Sequence, residues 1–249
     1  MIQSVDRALT ILNFLKEHPK GLGVTEIANR LDVAKSTVHR LLATMEKHGY
    51  VKQVEETSVY RLGLKFIEMH HSVVDNLNVV EEARPILEYL TEETGKITHL
   101  VALDAFEVLY IDKVEKPATI RIYSQLGRRA PLHCTGVGKA LAAYFGEEER
   151  RTYFQKKPLT MFTENTFTDA DNLTEEFRQI RSRGYALDNE EHEPGVRCIA
   201  VPIWDHQEKP VYAISITGTA GQMTDEAVNE YIPVVKHAAR DISKLLGKL

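Results

Sequence analysis

Two stretches of this chain carry groups whose types and spacing suit chemistry. In LDVAKSTVHRLLATMEKHGY, Leu31 to Tyr50, the residues Lys35, Ser36, Thr37, His39, Arg40 and Thr44 lie away from the apolar positions of a helical pattern. They are cations and short hydrogen-bonding side chains. Such groups reach base edges and phosphates from a helix lying in a DNA major groove. The second stretch is Thr135-Gly136-Val137-Gly138, at the start of a helical pattern. Free backbone N–H groups and the helix dipole there favour a carboxylate, and the glycines permit close approach.

Three other chemistries draw on the same residue types. The run GVGKA, Gly136 to Ala140, resembles a phosphate loop at its Gly-Lys pair, but that motif requires Gly where His133 stands and Ser or Thr where Ala140 stands. It is excluded. Cys134 and Cys198 with His133 and His192 are zinc-ligand types, yet no CxxC or HExxH spacing joins them, so no metal is expected. Cys198 as a nucleophile, with a nearby His and acid, remains an alternative that spacing does not decide.

The first stretch needs elements to position it. Val38, Leu41, Leu42 and Met45 recur at the spacing of one buried helix face. VTEIANRL, Val24 to Leu31, is a shorter helix with Ile27, Ala28 and Leu31 inward, and Asp32-Val33-Ala34 has room only for a tight turn. This is a helix-turn-helix arrangement. Gly49 is a helix stop. Tyr50 to Val54 and Val59 to Leu62 read as short strands around the polar turn Glu55 to Ser58, forming a wing from which Lys52 and Arg61 can touch phosphates. Before the pair, Ser4 to Leu15 reads as a helix with Val5, Leu9, Leu12 and Leu15 or Phe14 as its apolar stripe. Gly23 and Glu26 occupy capping-box positions, with Gly unable to accept the backbone bonds.

The chain has 249 residues, 43% hydrophobic and 27% charged, which describes an ordinary folded protein. No apolar run approaches the roughly 20 residues needed to span a bilayer. The N-terminus lacks a basic region and a cleavage site, so no signal peptide is expected and the cytoplasm is the default. Two cysteines make no disulfide framework. Residues 1–75 hold 10 Lys+Arg against 9 Asp+Glu, and the remainder 21 against 27. DNA affinity would then come from a few local contacts doubled by self-association.

Beyond the wing, Gly63 to Val74 reads as a linker helix with Leu64, Ile67 and His71 at helical spacing, and Asn76-Leu77-Asn78 as a break. A second domain follows. Helices are expected at Val80–Thr94, Gly136–Phe145, Glu147–Gln155, Leu173–Arg183 and Thr224–Leu246, the last interrupted or kinked near Pro233. Strands are expected at Ile97–Leu103, Val108–Val114, Ile120–Ser124, Tyr185–Asn189, Val196–Trp204 and Val211–Thr217, with Gly127–Thr135 irregular. The fold class is α+β, with helices flanking a mostly antiparallel sheet.

SVDRALTIL at Ser4, TEIANRLDVAKSTVHRLLATM at Thr25 and GYV…YRLGLKF at Gly49 resemble the IclR family of bacterial transcription regulators. So do YIDKVE at Tyr110, PLHCTGVGKALAA at Pro131 and GYALDNEEHEPGVRCIAVPI at Gly184. The resemblance spans nearly the whole chain in family order. Asp32 departs from a frequent Gly, Ala34 from a frequent Pro and Thr219 from a common Pro. The resemblance implies a winged helix-turn-helix domain over 1–63, a linker over 64–78 and a GAF-like effector domain over 79–249. It implies a homodimer or homotetramer on double-stranded operator DNA, controlled by a small metabolite, often an organic acid or aromatic compound. It makes the segment at Gly136 and Val137 one wall of the effector pocket and matches Asp188, Cys198, Ser215 and Thr217 to other pocket positions, with Leu126 and Leu132 as apolar neighbours. The expected DNA contacts are Lys35, Ser36, Thr37, His39, Arg40 and Arg61. A repressor is the expected sign of control, an activator the alternative, and a ligand-processing enzyme on a DNA anchor the reading outside regulators. No cofactor and no membrane partner are expected.

Overall fold

The computed structural model describes residues 2–74, 78–116 and 125–248. The chain forms two compact units, Met1–Asn76 and Leu77–Leu249. The strand expected at Ile120–Ser124 lies outside the described residues, as do Asn76 and Leu77 of the expected break.

The first unit begins with α1 (Gln3–Glu17), α2 (Val24–Leu31) and α3 (Lys35–Lys47). Their core is Ile11, Leu15, Leu22, Ile27, Ala28, Val38, Leu42 and Met45, closed by Val51 and Tyr60. Leu15 of the expected α1 stripe is buried, with Leu12 and Phe14 packed against the core, but the start of the helix corrects the sequence reading. Val5 and Leu9 are 52% and 57% exposed, and Ile11 is fully buried. Both faces of α1 carry apolar residues, and packing against α2 and α3 selects the one through Ile11 and Leu15. Gly23 caps α2 without a side-chain bond, and Glu26 turns instead to Arg30 at 3.1 Å. Asp32 takes the left-handed conformation at the end of α2, φ 51°. Asp tolerates that region better than most residues, and this tightens the turn into α3.

β1 (Val51–Gln53) and β2 (Tyr60–Leu62) pair antiparallel, Lys52 opposite Arg61. The wing is tied to the α1–α2 connection by a bridge between Leu22 and Tyr60. Gly21 allows this approach: its φ is +90°, and a Cβ there would meet the Tyr60 carbonyl oxygen at 2.7 Å. α4 (Lys65–Val74) follows, with Phe66 edge-on to Tyr50 at 5.5 Å.

The second unit holds α5 (Asn78–Thr94), β3 (Ile97–Asp104), β4 (Glu107–Val114), β5 (Arg129–Pro131), α6 (Gly136–Ala142), α7 (Glu147–Lys156) and α8 (Ala170–Arg183). These are followed by β6 (Ala186–Asn189), β7 (Val196–Trp204), β8 (Pro210–Thr219) and α9 (Asp225–Leu245). The strands form one antiparallel sheet in the order β5-β4-β3-β8-β7-β6. β5 lies within a stretch expected to be irregular. It is three residues long, too short to show alternation. α9 runs as one helical element through Pro233.

Side-chain alternation divides the sheet into two faces. Thr98 faces α5, where the Thr91 hydroxyl donates to its oxygen at 2.8 Å. Cys198 and Ala200 face the start of α6, where a Cβ on Gly136 would lie 3.5 and 3.3 Å from their Cβ atoms. On that side Val137, Ala140 and Leu141 pack with Leu173, Phe177 and Ile180 of α8 and with Val101, Ala200 and Ala213 of the sheet. Among the described residues no helix is long and apolar enough to cross a membrane.

Candidate functional site

In the first unit α3 presents its polar face to solvent. Lys35, Ser36, His39 and Arg40 are exposed and Thr37 is partly so, while Val38, Leu42 and Met45 anchor the opposite face. The Arg40 side chain makes no hydrogen bond or ion pair among the described residues, which leaves its guanidinium available. Thr44 is committed to its own helix, its hydroxyl donating to the Arg40 carbonyl at 2.9 Å. Arg61 is also partly committed: its Nε–H donates to the Lys20 carbonyl at 3.1 Å, bracing the wing against the α1–α2 connection.

In the second unit Gly136, Val137, Asp188, Cys198, Ser215 and Thr217 line a single cavity of about 40 Å³. The sheet register explains how residues so distant in sequence meet. Asp188 stands opposite Cys198, and Cys198 opposite Thr217, making one row across β6, β7 and β8. Ser215 stands opposite His99 of β3 in the neighbouring row. The start of α6 covers these rows. There Thr135 donates its hydroxyl to the Pro131 carbonyl at 2.7 Å and accepts from the Gly138 N–H at 3.1 Å. One of the backbone donors expected to be free is therefore consumed by the cap. Gly138 is required here, since a Cβ would meet the Leu132 Cα at 2.5 Å.

The row is hydrogen-bonded through its side chains. The Thr217 hydroxyl donates to Cys198 Sγ at 3.2 Å, and the Cys198 thiol faces Asp188 Oδ2 at 3.9 Å. Asp188 Oδ1 accepts from the Glu191 N–H at 2.9 Å. His99 Nδ1 lies 3.3 Å from the Thr217 hydroxyl and 3.5 Å from that of Ser215. Burial pushes the Asp188 carboxyl up to about 7, with the neighbouring Glu191 carboxylate adding to the effect. Burial, and then the nearby Lys113 ammonium, push His99 down to about 3. Burial, and then Asp188, raise Cys198 well above an ordinary thiol. At neutral pH His99 is neutral and Cys198 is a thiol, a pairing unlike an activated nucleophile.

Beneath the cavity lies a buried charge cluster that sequence reasoning did not find. Lys139 is 1% exposed, and its Nζ donates to Glu191 Oε1 at 2.5 Å and lies 3.6 Å from Glu176. The lysine of the rejected phosphate-loop pattern thus holds Glu191, whose backbone N–H in turn holds Asp188. His99, Tyr110, Arg128, Thr135, His192 and Glu193 also reach the cavity. Neither Tyr110, on β4, nor His99, on β3, gave a signal without the strand register. Leu126 and Leu132, expected on the apolar side, do not line the cavity: Leu126 is about half exposed and Leu132 is in the core. Ala130, Val137 and Val196 take that place. His133 is bound to the Thr160 carbonyl at 2.9 Å. Among the described residues no three His, Cys, Asp or Glu side chains converge as metal ligands.

A helix-turn-helix with its wing, followed by an α+β unit holding a small polar cavity, defines a DNA-binding regulator with a separate ligand-sensing domain. Residues 4–55 match the IclR helix-turn-helix domain, and residues 71–244 match the C-terminal domain of the bacterial transcriptional regulator IclR. The chain is 38% identical over 247 residues to the HTH-type transcriptional regulator XynR of Escherichia coli strain K12, covering 99% of this chain and 98% of the relative. It is 34% identical over 248 residues to the transcriptional repressor IclR of the same strain, covering 99% and 90%. The crystal structure of Thermotoga maritima IclR superposes with a TM-score of 0.79 at 36% identity, covering 100% of both chains. The chain belongs to the IclR family of bacterial transcription regulators.

Proposed function

We propose that this chain represses transcription from a specific operator and releases it when a compact organic acid enters the cavity beside α6. The observation that carries the reading is the convergence of Gly136, Val137, Asp188, Cys198, Ser215 and Thr217, with Arg128, on one small cavity. Arg128 supplies a cation, Ser215 and Thr217 supply hydroxyls, and Val137, Ala130 and Val196 supply an apolar wall. At the ~10–15 Å³ that one water needs, the cavity suits a molecule of few heavy atoms. The sign of control is taken from the relative named a transcriptional repressor.

On DNA, Lys35, Ser36, Thr37, His39 and Arg40 supply base and phosphate contacts, and Arg61 and Lys52 contact phosphates from the wing. Each chain reads one half-site, and a homodimer or a pair of dimers reads the operator. Apolar side chains left exposed on the first unit support self-association: Val5 and Leu9 on α1, and Ile67 and Met69 on α4. A cytoplasmic location follows from this role. The acid acts only by as much as its affinity differs between the DNA-competent and DNA-incompetent states. The thiol state of Cys198 and the neutral His99 favour sensing over turnover.

The test is selection of bound fragments from a genomic DNA pool, repeated with a panel of small carboxylic acids. A defined, near-palindromic site lost in the presence of one acid supports the proposal. Capture only in the presence of acid would overturn release by the acid. Absence of any sequence preference, together with chemical conversion of an acid lost in Cys198→Ala, would replace the proposal with the enzyme reading.

A further inference from the structure

A second cavity in the same unit lies between β7 and α9, with a volume of about 420 Å³. That is within the ~300–1,000 Å³ common for small-molecule sites. Its lining includes four cationic residues, Lys236, Arg240, Lys244 and Lys248, and no carboxylate. This contrasts with the part of the chain beyond residue 75, which carries 27 Asp+Glu against 21 Lys+Arg.

The cations recur every fourth residue along α9 and just past its end, so they share one face. Like charges at that spacing weaken a helix. The helix dipole compensates only near the C-terminus, at Lys244, and not at Lys236 or Arg240. Asp241 pairs with Lys244 at 3.1 Å, and Lys236 donates to the Arg183 carbonyl at 2.9 Å. Arg240 has no partner among the described residues. The remaining wall is aromatic: Tyr144 meets Trp204 edge-on at 4.7 Å, and the Lys248 ammonium stands 4.3 Å from the Trp204 ring centroid. Converging cations beside an aromatic wall recognise negative charge and a flat ring together.

We infer that this cleft is a second ligand site, taking a flat organic anion with two or more negative charges. It does not depend on the cavity beside α6.

Trp204 is the only tryptophan in the chain, so its fluorescence reports on this cleft. The experiment titrates the full-length protein with isophthalate, a ring with two carboxylates, and follows Trp204 emission and binding heat. Phenol supplies the ring without charge, and pyrophosphate the charge without the ring. The expected result is saturable binding of isophthalate, tighter than that of either control. Affinity should fall roughly tenfold in the double variant Arg240→Gln/Lys244→Gln, the scale of two partly screened ion pairs. Both side chains are exposed, and an unchanged circular dichroism spectrum verifies the fold of the variant. Thr217→Val, which alters the other cavity, should leave this affinity unchanged. Absence of saturable binding, or equal affinity in the double variant, overturns the inference; so does loss of binding in Thr217→Val, which would place isophthalate beside α6.

Discussion

Arg40 stands on the second turn of α3 with its guanidinium exposed and uncommitted, the condition for a bidentate contact to a guanine edge. Arg40→Ala is expected to weaken operator binding by roughly 1–3 kcal/mol and to relax base preference at one position. Fluorescence anisotropy with the selected operator and a base-substituted version measures both; unchanged affinity would remove Arg40 from the interface. Asp188 makes a prediction with a definite sign. Its carboxyl ionises at the ordinary carboxylate value of 3.8 when unfolded and at about 7 when folded, so between those values the unfolded chain binds fewer protons. Stability contributed by this group therefore falls as pH rises from about 4 to 7, by an amount on the order of 2–4 kcal/mol. Asp188→Asn keeps the acceptor for the Glu191 N–H and should flatten that slope in urea unfolding curves. An unaltered slope would show that Asp188 ionises normally.

The turn before α3 and the first turn of α6, which place these residues, make their own predictions. Asp32 holds a left-handed conformation between α2 and α3. Asp32→Gly should stabilise the first unit by about 0.5 kcal/mol, because Gly enters that region without steric cost. A loss exceeding that amount in thermal unfolding would contradict this. Gly138 has the opposite character: its Cβ would meet Leu132 Cα at 2.5 Å and Thr135 Oγ1 at 2.5 Å. Gly138→Ala should cost roughly 1–3 kcal/mol by overpacking and should disturb the Thr135 cap. A denaturation midpoint equal to that of the parent would show that α6 can shift.

These elements also mark what can be read from sequence. The helix pair, the wing and most strands of the sheet were legible, since their apolar periods and glycine stops are local signals. The phase at the start of α1 was not, because Val5 and Leu9 offer one apolar face and Ile11 another, and only packing chooses between them. β5 was hidden by its length. Lys139 belongs to a failed phosphate motif in the sequence, and its burial against Glu191 depends on a contact 52 residues away.

At the scale of the whole molecule, the row Asp188–Cys198–Thr217 and its neighbours Ser215 and His99 exist only through sheet register. Periodicity places each residue on a strand face but cannot set which residues lie opposite one another. The family resemblance supplied the pocket positions, and the register shows how they converge. In the proposed mechanism this small cavity governs DNA binding. Linkage makes it sharp: an acid that weakens operator binding by some factor must itself be bound more weakly, by the same factor, when operator is present. The most direct measurement is operator affinity, with and without the releasing acid, for the parent and for Ser215→Ala/Thr217→Val. The parent is expected to lose operator affinity when acid is added, while the variant binds operator normally and no longer responds. Release that survives unchanged in the variant would place the controlling site elsewhere in the chain.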